Sequence, residues 1–147
     1  MIKATIEDIV EINLCNKRNL SEHYSLDEYT NLFNSNQVIS YIIKESSKVI
    51  GYIIMYASID NKNNKYGHIL SLAVDTEYRR KGYASQLINI AEKYIISKFS
   101  IKYLTLYVRK SNKIAQKLYY KHKYFYYKKL KKYYKLEDAL ILKKMII

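Results

Sequence analysis

Apolar and polar positions along the chain divide it into a mixed series of helices and strands. Thr5-x-x-Asp8 is a helix-start pair. Ile6, Ile9, Val10 and Leu14 around it recur at helical spacing, which predicts a first helix with these four residues on its buried face. Ser25-x-x-Glu28 forms a capping box ahead of a second, short helix expected to bury Leu26, Tyr29, Leu32 and Phe33, and a polar loop, Asn19 to Tyr24, lies between the two. Val38 to Ile43 and Val49 to Tyr56, either side of the polar turn Lys44 to Lys48, predict a β-hairpin, and Asp60 to Lys65 the next turn. A strand from Ile69 to Val74 follows. After a basic turn, Ala84, Leu87, Ile88, Ala91 and Ile95 recur at helical spacing, which predicts a helix with these residues on one face. Tyr103 to Val108 reads as another strand, and Ser111 or Asn112 caps a helix carrying Ile114, Ala115, Leu118 and Tyr119. Two late strands are expected near Tyr124 to Lys129 and Ala139 to Lys144. The order predicts an α/β class with crossover helices before and after the Tyr103 strand.

Composition narrows this picture. A chain of 147 residues, 49% hydrophobic, builds one core, and no linker divides it, so residues 1–147 are expected to form a single domain. No run approaches the ~18 apolar residues of a membrane span, and acids stand where a signal peptide has its apolar core, so a cytoplasmic protein that does not bind membranes is expected. The single cysteine, Cys15, excludes an internal disulfide and reads as a buried, inert thiol. Three scattered histidines offer no metal set.

The formal net charge of +13 is unevenly placed. Lys93 to Leu136 holds thirteen Lys and Arg109 without one Asp or Glu, so the rest of the chain is close to neutral. Such a local field attracts RNA, a membrane surface, an acidic peptide or a polyphosphate ligand. Codon bias is an equally good source, because 22 of the 26 basic residues are Lys in a chain rich in Ile, Asn and Tyr and lacking Pro.

The candidate chemistry centres on the basic turn after Val74. Arg79-x-x-Gly82-x-Ala84 joins a strand to a helix, and the unpaired N–H groups of a helix start point outward along the positive end of the helix dipole. Gly82 and Ala84 keep side chains away from a bound pyrophosphate, and Arg79, Arg80 and Lys81 add charge around it. This pattern resembles the coenzyme A motif of the GNAT acetyltransferases. Leu104 to Tyr119, with Asn112-x-x-Ala115-x-x-Leu118-Tyr119, resembles the family's other motif, in the same order and spacing. Leu20-Ser21-Glu22-His23-Tyr24, Gly67 to Val74, Val108 to Asn112 and Tyr133-Tyr134-x-x-Glu137-Asp138-Ala139 resemble segments of the catalytic subunits of NatA-type N-terminal acetyltransferases. Departures are Ser21 in place of Pro, Lys123-Tyr124 where many members have Gly-Phe, and a tail motif one residue short without its Gly.

The resemblance implies a single-domain GNAT-like fold, a mixed sheet of six to seven strands flanked by about four helices. It implies transfer of acetyl from acetyl-CoA to the α-amino group of nascent polypeptides, without a metal. Leu72, Ala73 and Val74 are expected along the pantetheine arm, with a backbone N–H near Ala73 and Val74 receiving the thioester oxygen. Arg79, Arg80, Lys81, Gly82, Tyr83, Ala84 and Ser85 are expected around the pyrophosphate, and Asn112 and Tyr119 against the cofactor. Glu22 is the implied base, Tyr119 the proton donor to the departing thiolate, and Tyr134 a further catalytic candidate. Leu20, Glu22, Tyr24, Arg109, Tyr133 and Tyr134 form the implied peptide-end pocket, Arg109 by pairing with an acid such as Glu22. His68 reads as a structural histidine. A large auxiliary subunit and ribosome association are the implied partners, with nucleic acid met only indirectly. Two alternatives stay open: a GNAT enzyme acting on lysine side chains or small amines, and a basic RNA- or ribosome-binding module without catalysis, which the Lys-Tyr interleaving from Tyr119 to Lys135 permits.

Overall fold

The computed structural model describes residues 1–146. Its strands are β1 (Ile2–Lys3), β2 (Val38–Glu45), β3 (Lys48–Ile59), β4 (Lys65–Val74), β5 (Tyr103–Arg109), β6 (Phe125–Tyr134) and β7 (Glu137–Met145). They form one sheet in the order β1-β2-β3-β4-β5-β7-β6. All neighbouring pairs are antiparallel except β4 and β5, which a crossover helix joins in parallel. Helices α1 (Ile9–Asn19) and α2 (Leu26–Phe33) cover one face, and α3 (Tyr83–Phe99) and α4 (Lys113–Lys121) the other. Seven strands and four helices bear out the α/β architecture expected from the sequence. Among the described residues no helix is long and apolar enough to cross a membrane.

The larger apolar cluster lies under α3, where Leu87, Ile88, Ala91 and Ile95 are buried against Ile53, Met55, Leu104 and Leu106. Gly67 sits where a side chain has no room, since a Cβ there would lie 2.8 Å from Leu104 Cδ2. That close approach lets β4 pass beneath the end of α3.

The first helix departs from expectation. Thr5 caps a short 3-10 turn, Ile6–Asp8, and α1 then turns Ile12, Asn13, Cys15 and Asn16 inward, leaving Ile6, Val10 and Leu14 exposed. Polar anchors override the apolar pattern. Asn16 Nδ2 donates to Tyr52 Oη at 2.9 Å, Tyr52 Oη shares a 2.7 Å bond with Ser71 Oγ, and Arg18 grips the buried Asp75 carboxylate at 3.0 and 3.1 Å. Burial opposes the charge of Asp75, yet the bonds from Arg18 and Asn19 hold its carboxyl below the ordinary value. These bonds fix the rotation of α1. In α2, Tyr29 is fully buried as expected, whereas Leu26 is exposed.

Strand β4 begins at Lys65, four residues earlier than its apolar run suggested, and the turn before it is correspondingly short. The late strands are also longer than expected, because main-chain pairing carries β6 and β7 to the hairpin tip.

Candidate active site

Strands β4 and β5 part midway. Their pairing runs from Tyr66 opposite Tyr103 to Ile69 opposite Leu106 and ends there, so Leu70 to Val74 have no strand partner on that side. A bulge marks the parting: Ile54 pairs with Ser71 and Met55 with Ile69, which pushes Leu70 out of the ladder. The main chain of Leu72 and the N–H of Val74 therefore face the gap without a strand partner among the described residues, open to an extended ligand, while the Val74 carbonyl accepts from Arg79 Nε.

The gap leads to the start of α3. Gly82 is the N-cap, with φ of 80° and no side-chain cap, so the first N–H groups of a 17-residue helix lack intrahelical partners. A Cβ at Gly82 would meet nothing closer than Gln86 Nε2 at 3.9 Å, which leaves the approach open. Arg80 is also left-handed, with φ of 63°. Two such residues in four fold the loop around the helix start, and the arrangement fits a pyrophosphate on backbone donors. Tyr83, Ala84 and Ser85 are the first turn of α3. Ser85 Oγ lies 2.9 Å from His122 Nε2.

The basic residues divide their work. Arg79 turns back: its Nε donates to Val74 O at 2.9 Å and its Nη2 to Asn19 Oδ1 at 3.1 Å, so it braces the loop against β4 and α1. Lys81 lies over the Tyr78 ring at 5.4 Å, and Arg80 is exposed.

On the far side of the gap, Asn112 Oδ1 accepts from Ala115 N at 3.1 Å and so starts α4. Tyr119, on that helix, is buried, and burial raises its phenol above the ordinary value, keeping it protonated at neutral pH. Its ring packs edge-on to Tyr124 at 5.9 Å.

The peptide-end candidates converge around Arg109. Its guanidinium pairs with Glu22, donates to Glu137 Oε1 at 3.2 Å and to Ser21 Oγ at 3.2 Å, and lies over the Tyr134 ring at 4.4 Å. Partial burial works against its charge, and the bonds it donates to Glu22 and Glu137 more than offset that. Burial, followed by the Glu22 charge, pushes the Tyr134 phenol up to about 12. Tyr133 packs edge-on to Tyr134 at 5.0 Å and to Tyr107 at 5.3 Å. Tyr24 packs on Tyr29 at 5.6 Å, and Leu20 is half-buried against the cluster beneath α1. The structure thus brings Glu22, Arg109, Tyr133 and Tyr134 together across 112 residues of sequence.

Three further residues complete this arrangement. Glu137 accepts from Ser111 N at 2.7 Å as well as from Arg109, tying the hairpin tip to the β5–α4 turn. Gln116 Nε2 donates to Arg109 O at 3.0 Å and Lys110 O at 2.9 Å. His68 is buried between the Tyr56 and Tyr107 rings at 5.1 and 4.8 Å and shares a 2.7 Å hydrogen bond with Thr105 Oγ1. Glu137 was visible as part of the tail motif, whereas nothing local in the sequence singles out Gln116.

Burial pushes His68 down to about 4, so it is neutral at physiological pH. Between its ordinary value of 6.5 and that value, the unfolded chain binds a proton that the folded chain refuses. Stability therefore falls as pH falls through this window, by at most about 3 kcal/mol. Asp75 acts lower, below the ordinary 3.8, where stability is lost as its carboxylate protonates. Urea unfolding between pH 7 and 4.5 is expected to show the decline, and His68→Asn to flatten it.

Among the described residues no group of three or more His, Cys, Asp or Glu is placed to hold a metal. A cleft of about 510 Å³ runs from Tyr24 along α2 to Tyr56 and Leu70.

Comparison with known proteins gives one answer. The model of the acetyltransferase (GNAT) family matches residues 6–124. The catalytic subunit ard1 of the N-terminal acetyltransferase A complex of Schizosaccharomyces pombe is 33% identical over 118 residues, covering 79% of this chain and 67% of that protein. This chain thus spans about two thirds of that relative's length. N-alpha-acetyltransferase 20 of Dictyostelium discoideum is 31% identical over 142 residues, covering 95% and 82% of the two chains. The N-alpha-acetyltransferase of Saccharolobus solfataricus is 31% identical over 147 residues, covering 95% and 88%. Among solved structures, Arabidopsis thaliana NAA60 in complex with acetyl-CoA superposes with a TM-score of 0.88 at 19% identity, covering 99% of this chain and 97% of that one.

Proposed function

Because the chain belongs to the acetyltransferase (GNAT) family, among the catalytic subunits of N-terminal acetyltransferases, we propose that it moves acetyl from acetyl-CoA to the α-amino group of polypeptides, as a NatA-type catalytic subunit. One observation carries the reading. The gap between β4 and β5 ends at an uncapped helix start on one side and opens toward the Glu22–Arg109–Tyr134 cluster on the other. A thioester in the gap would bring an activated acetyl group between the two.

In this reading the main chain of Leu72 to Val74, where it faces the gap, holds the pantetheine arm, and the N–H groups of Tyr83, Ala84 and Ser85 hold the pyrophosphate. A peptide α-amine has an ordinary pKa of ~8, so a modest base makes it nucleophilic at neutral pH. Glu22 serves as that base, directly or through water, with Arg109 orienting its carboxylate. A backbone N–H near Ala73 and Val74 stabilises negative charge on the acetyl oxygen. Tyr119, kept protonated by burial, donates to the departing sulfur. Tyr24, Tyr133 and Tyr134 wall the peptide end, with phenols that pack as apolar surface and bond peptide main chain. Lysine side chains and small amines are the weaker acceptors, since neither uses the wall of tyrosines around the peptide backbone.

A large auxiliary subunit fits the exposed stripe made by Ile6 in the 3-10 turn and Val10 and Leu14 on α1, an apolar face uncovered among the described residues. The complex works in the cytoplasm at the ribosome, where new N-termini emerge. The isolated chain is expected to favour peptides beginning with Asp or Glu, drawn by the basic segment Lys93 to Leu136, and the complex to favour Ser or Ala. CoA release measured with peptides starting Ser, Ala, Met, Asp and Glu, and with spermidine and Nα-blocked lysine, tests the acceptor class. The acidic preference should fade between 0.1 and 1 M salt, as the Debye length shrinks from ~10 to ~3 Å. Faster release with spermidine or blocked lysine than with every peptide would move the function to small amines.

A further inference from the structure

Strand β6 ends the sheet, so among the described residues one side of its main chain has no partner strand, and eight of its ten residues are exposed. An edge of this kind is ordinarily shielded by a covering element or used for pairing. Here it is lined with lysine and aromatic side chains. Asp138 is committed to Lys129 at 3.7 Å and to Lys132 N at 2.8 Å, and Glu137 to Arg109 and Ser111. Lys128, Lys131, Lys132 and Lys135 form no ion pair among the described residues. This leaves three lysines along β6, and Lys135 in the turn after it, without an ion pair.

The aromatics sit among them. Tyr126, Tyr127 and Tyr133 are each about half exposed. Register places Tyr126, opposite Leu142, on the α3/α4 side of the sheet, while Lys128, opposite Ile141, lies on the other. Tyr127 leans toward the Lys128 side, with Lys143 Nζ 4.7 Å from its ring and Lys128 Nζ 5.8 Å away. Rings thus flank the free edge on both sides, with lysines spaced along it. A membrane surface meets only one side of a strand, and an acidic peptide has no use for so many rings. A single-stranded polyanion with planar bases, running along the edge, can use both: phosphates reach the lysines and bases reach the tyrosines.

We infer that the free edge of β6 is a docking strip for single-stranded RNA. The strip ends at Tyr133 and Tyr134, beside the proposed peptide entrance, so RNA bound there would hold that entrance close to an RNA surface. The inference does not depend on the acetyltransferase reading. Binding should be electrostatic and sequence-tolerant.

The test is fluorescence anisotropy of a labelled oligouridine, with saturating CoA present so that the α3 cradle does not compete. Wild-type protein is expected to bind with Kd of roughly 1–100 µM at about 0.15 M salt, weakening as salt rises. The fourfold variant Lys128→Gln, Lys131→Gln, Lys132→Gln, Lys135→Gln should bind more weakly, with the slope of log affinity against log salt reduced by about 3, at about 0.7 per phosphate contact on a single strand. Its far-ultraviolet circular dichroism and thermal melt should match the wild type, showing that it is folded. Ultraviolet cross-linking of wild-type protein should map uridine to Tyr126, Tyr127 or Tyr133. Absence of binding at about 50 mM salt, an unchanged slope in the variant, or cross-links confined to the α3 cradle would overturn the inference. Equal or tighter binding of polyglutamate or of phosphatidylserine vesicles would overturn it too, in favour of an acidic protein or a membrane.

Discussion

Gly82→Glu is expected to lower acetyl-CoA affinity at least about 100-fold, a loss of about 2.7 kcal/mol. Two effects combine. The new carboxylate stands at the helix start, where it both repels a pyrophosphate and competes for the free N–H groups of Tyr83 to Ser85. The left-handed backbone at φ of 80° also charges a side chain about 1–2 kcal/mol. Gly82→Asn separates them, because Asn tolerates this conformation and adds no charge. Calorimetric titration with acetyl-CoA should therefore place Asn near the wild type and Glu far below it. Equal losses in both variants would show that strain, not the anion cradle, decides the result.

Arg109→Gln is expected to lower kcat/KM about 10- to 100-fold while changing stability little. The guanidinium side chain is about a third exposed, at 31%, and Glu22 more so, at 42%, so their pairing is screened and contributes at most about 1 kcal/mol to folding. Its effect on chemistry is larger, because one fork positions Glu22, Glu137 and the Tyr134 ring together. Arg109→Lys keeps the charge and loses the fork, and should fall between the two. Steady-state kinetics with a thermal melt of each variant checks this. A melt lowered as steeply as the activity would make Arg109 a structural brace only.

Much of the fold and site was legible where the signal is local. The capping box at Ser25 and Glu28 forms as written, with Glu28 N donating to Ser25 Oγ at 3.1 Å and Ser25 N to Glu28 Oε1 at 3.0 Å. The helix after Gly82 starts where its glycine and small residues place it. Long-range polar bonds were not legible. The apolar spacing of Ile6, Val10 and Leu14 describes a good amphipathic face, yet Asn16, Arg18 and Asn19 find Tyr52 and Asp75 on the sheet and turn the helix the other way. The parting of β4 and β5 was equally hidden, because Ile69-Leu70 and Leu106-Tyr107-Val108 run on as strand-like residues through the point where the pairing stops. Glu137 reaches Arg109 across 28 residues, a distance that only the closed β5–β7 register brings to hydrogen-bonding range. Arg79 reads as a phosphate ligand from its place in the motif, and the structure gives its guanidinium to Val74 and Asn19.

The most direct measurement compares two otherwise identical peptides, each with a single internal lysine, one with a free α-amine and one with that amine blocked. Each is incubated with the protein and acetyl-CoA, and the site of acetylation is read by tandem mass spectrometry. The account predicts one acetyl group on the α-nitrogen of the free peptide and little or no product from its blocked twin. Acetyl-lysine formed at the same rate in both peptides would contradict it.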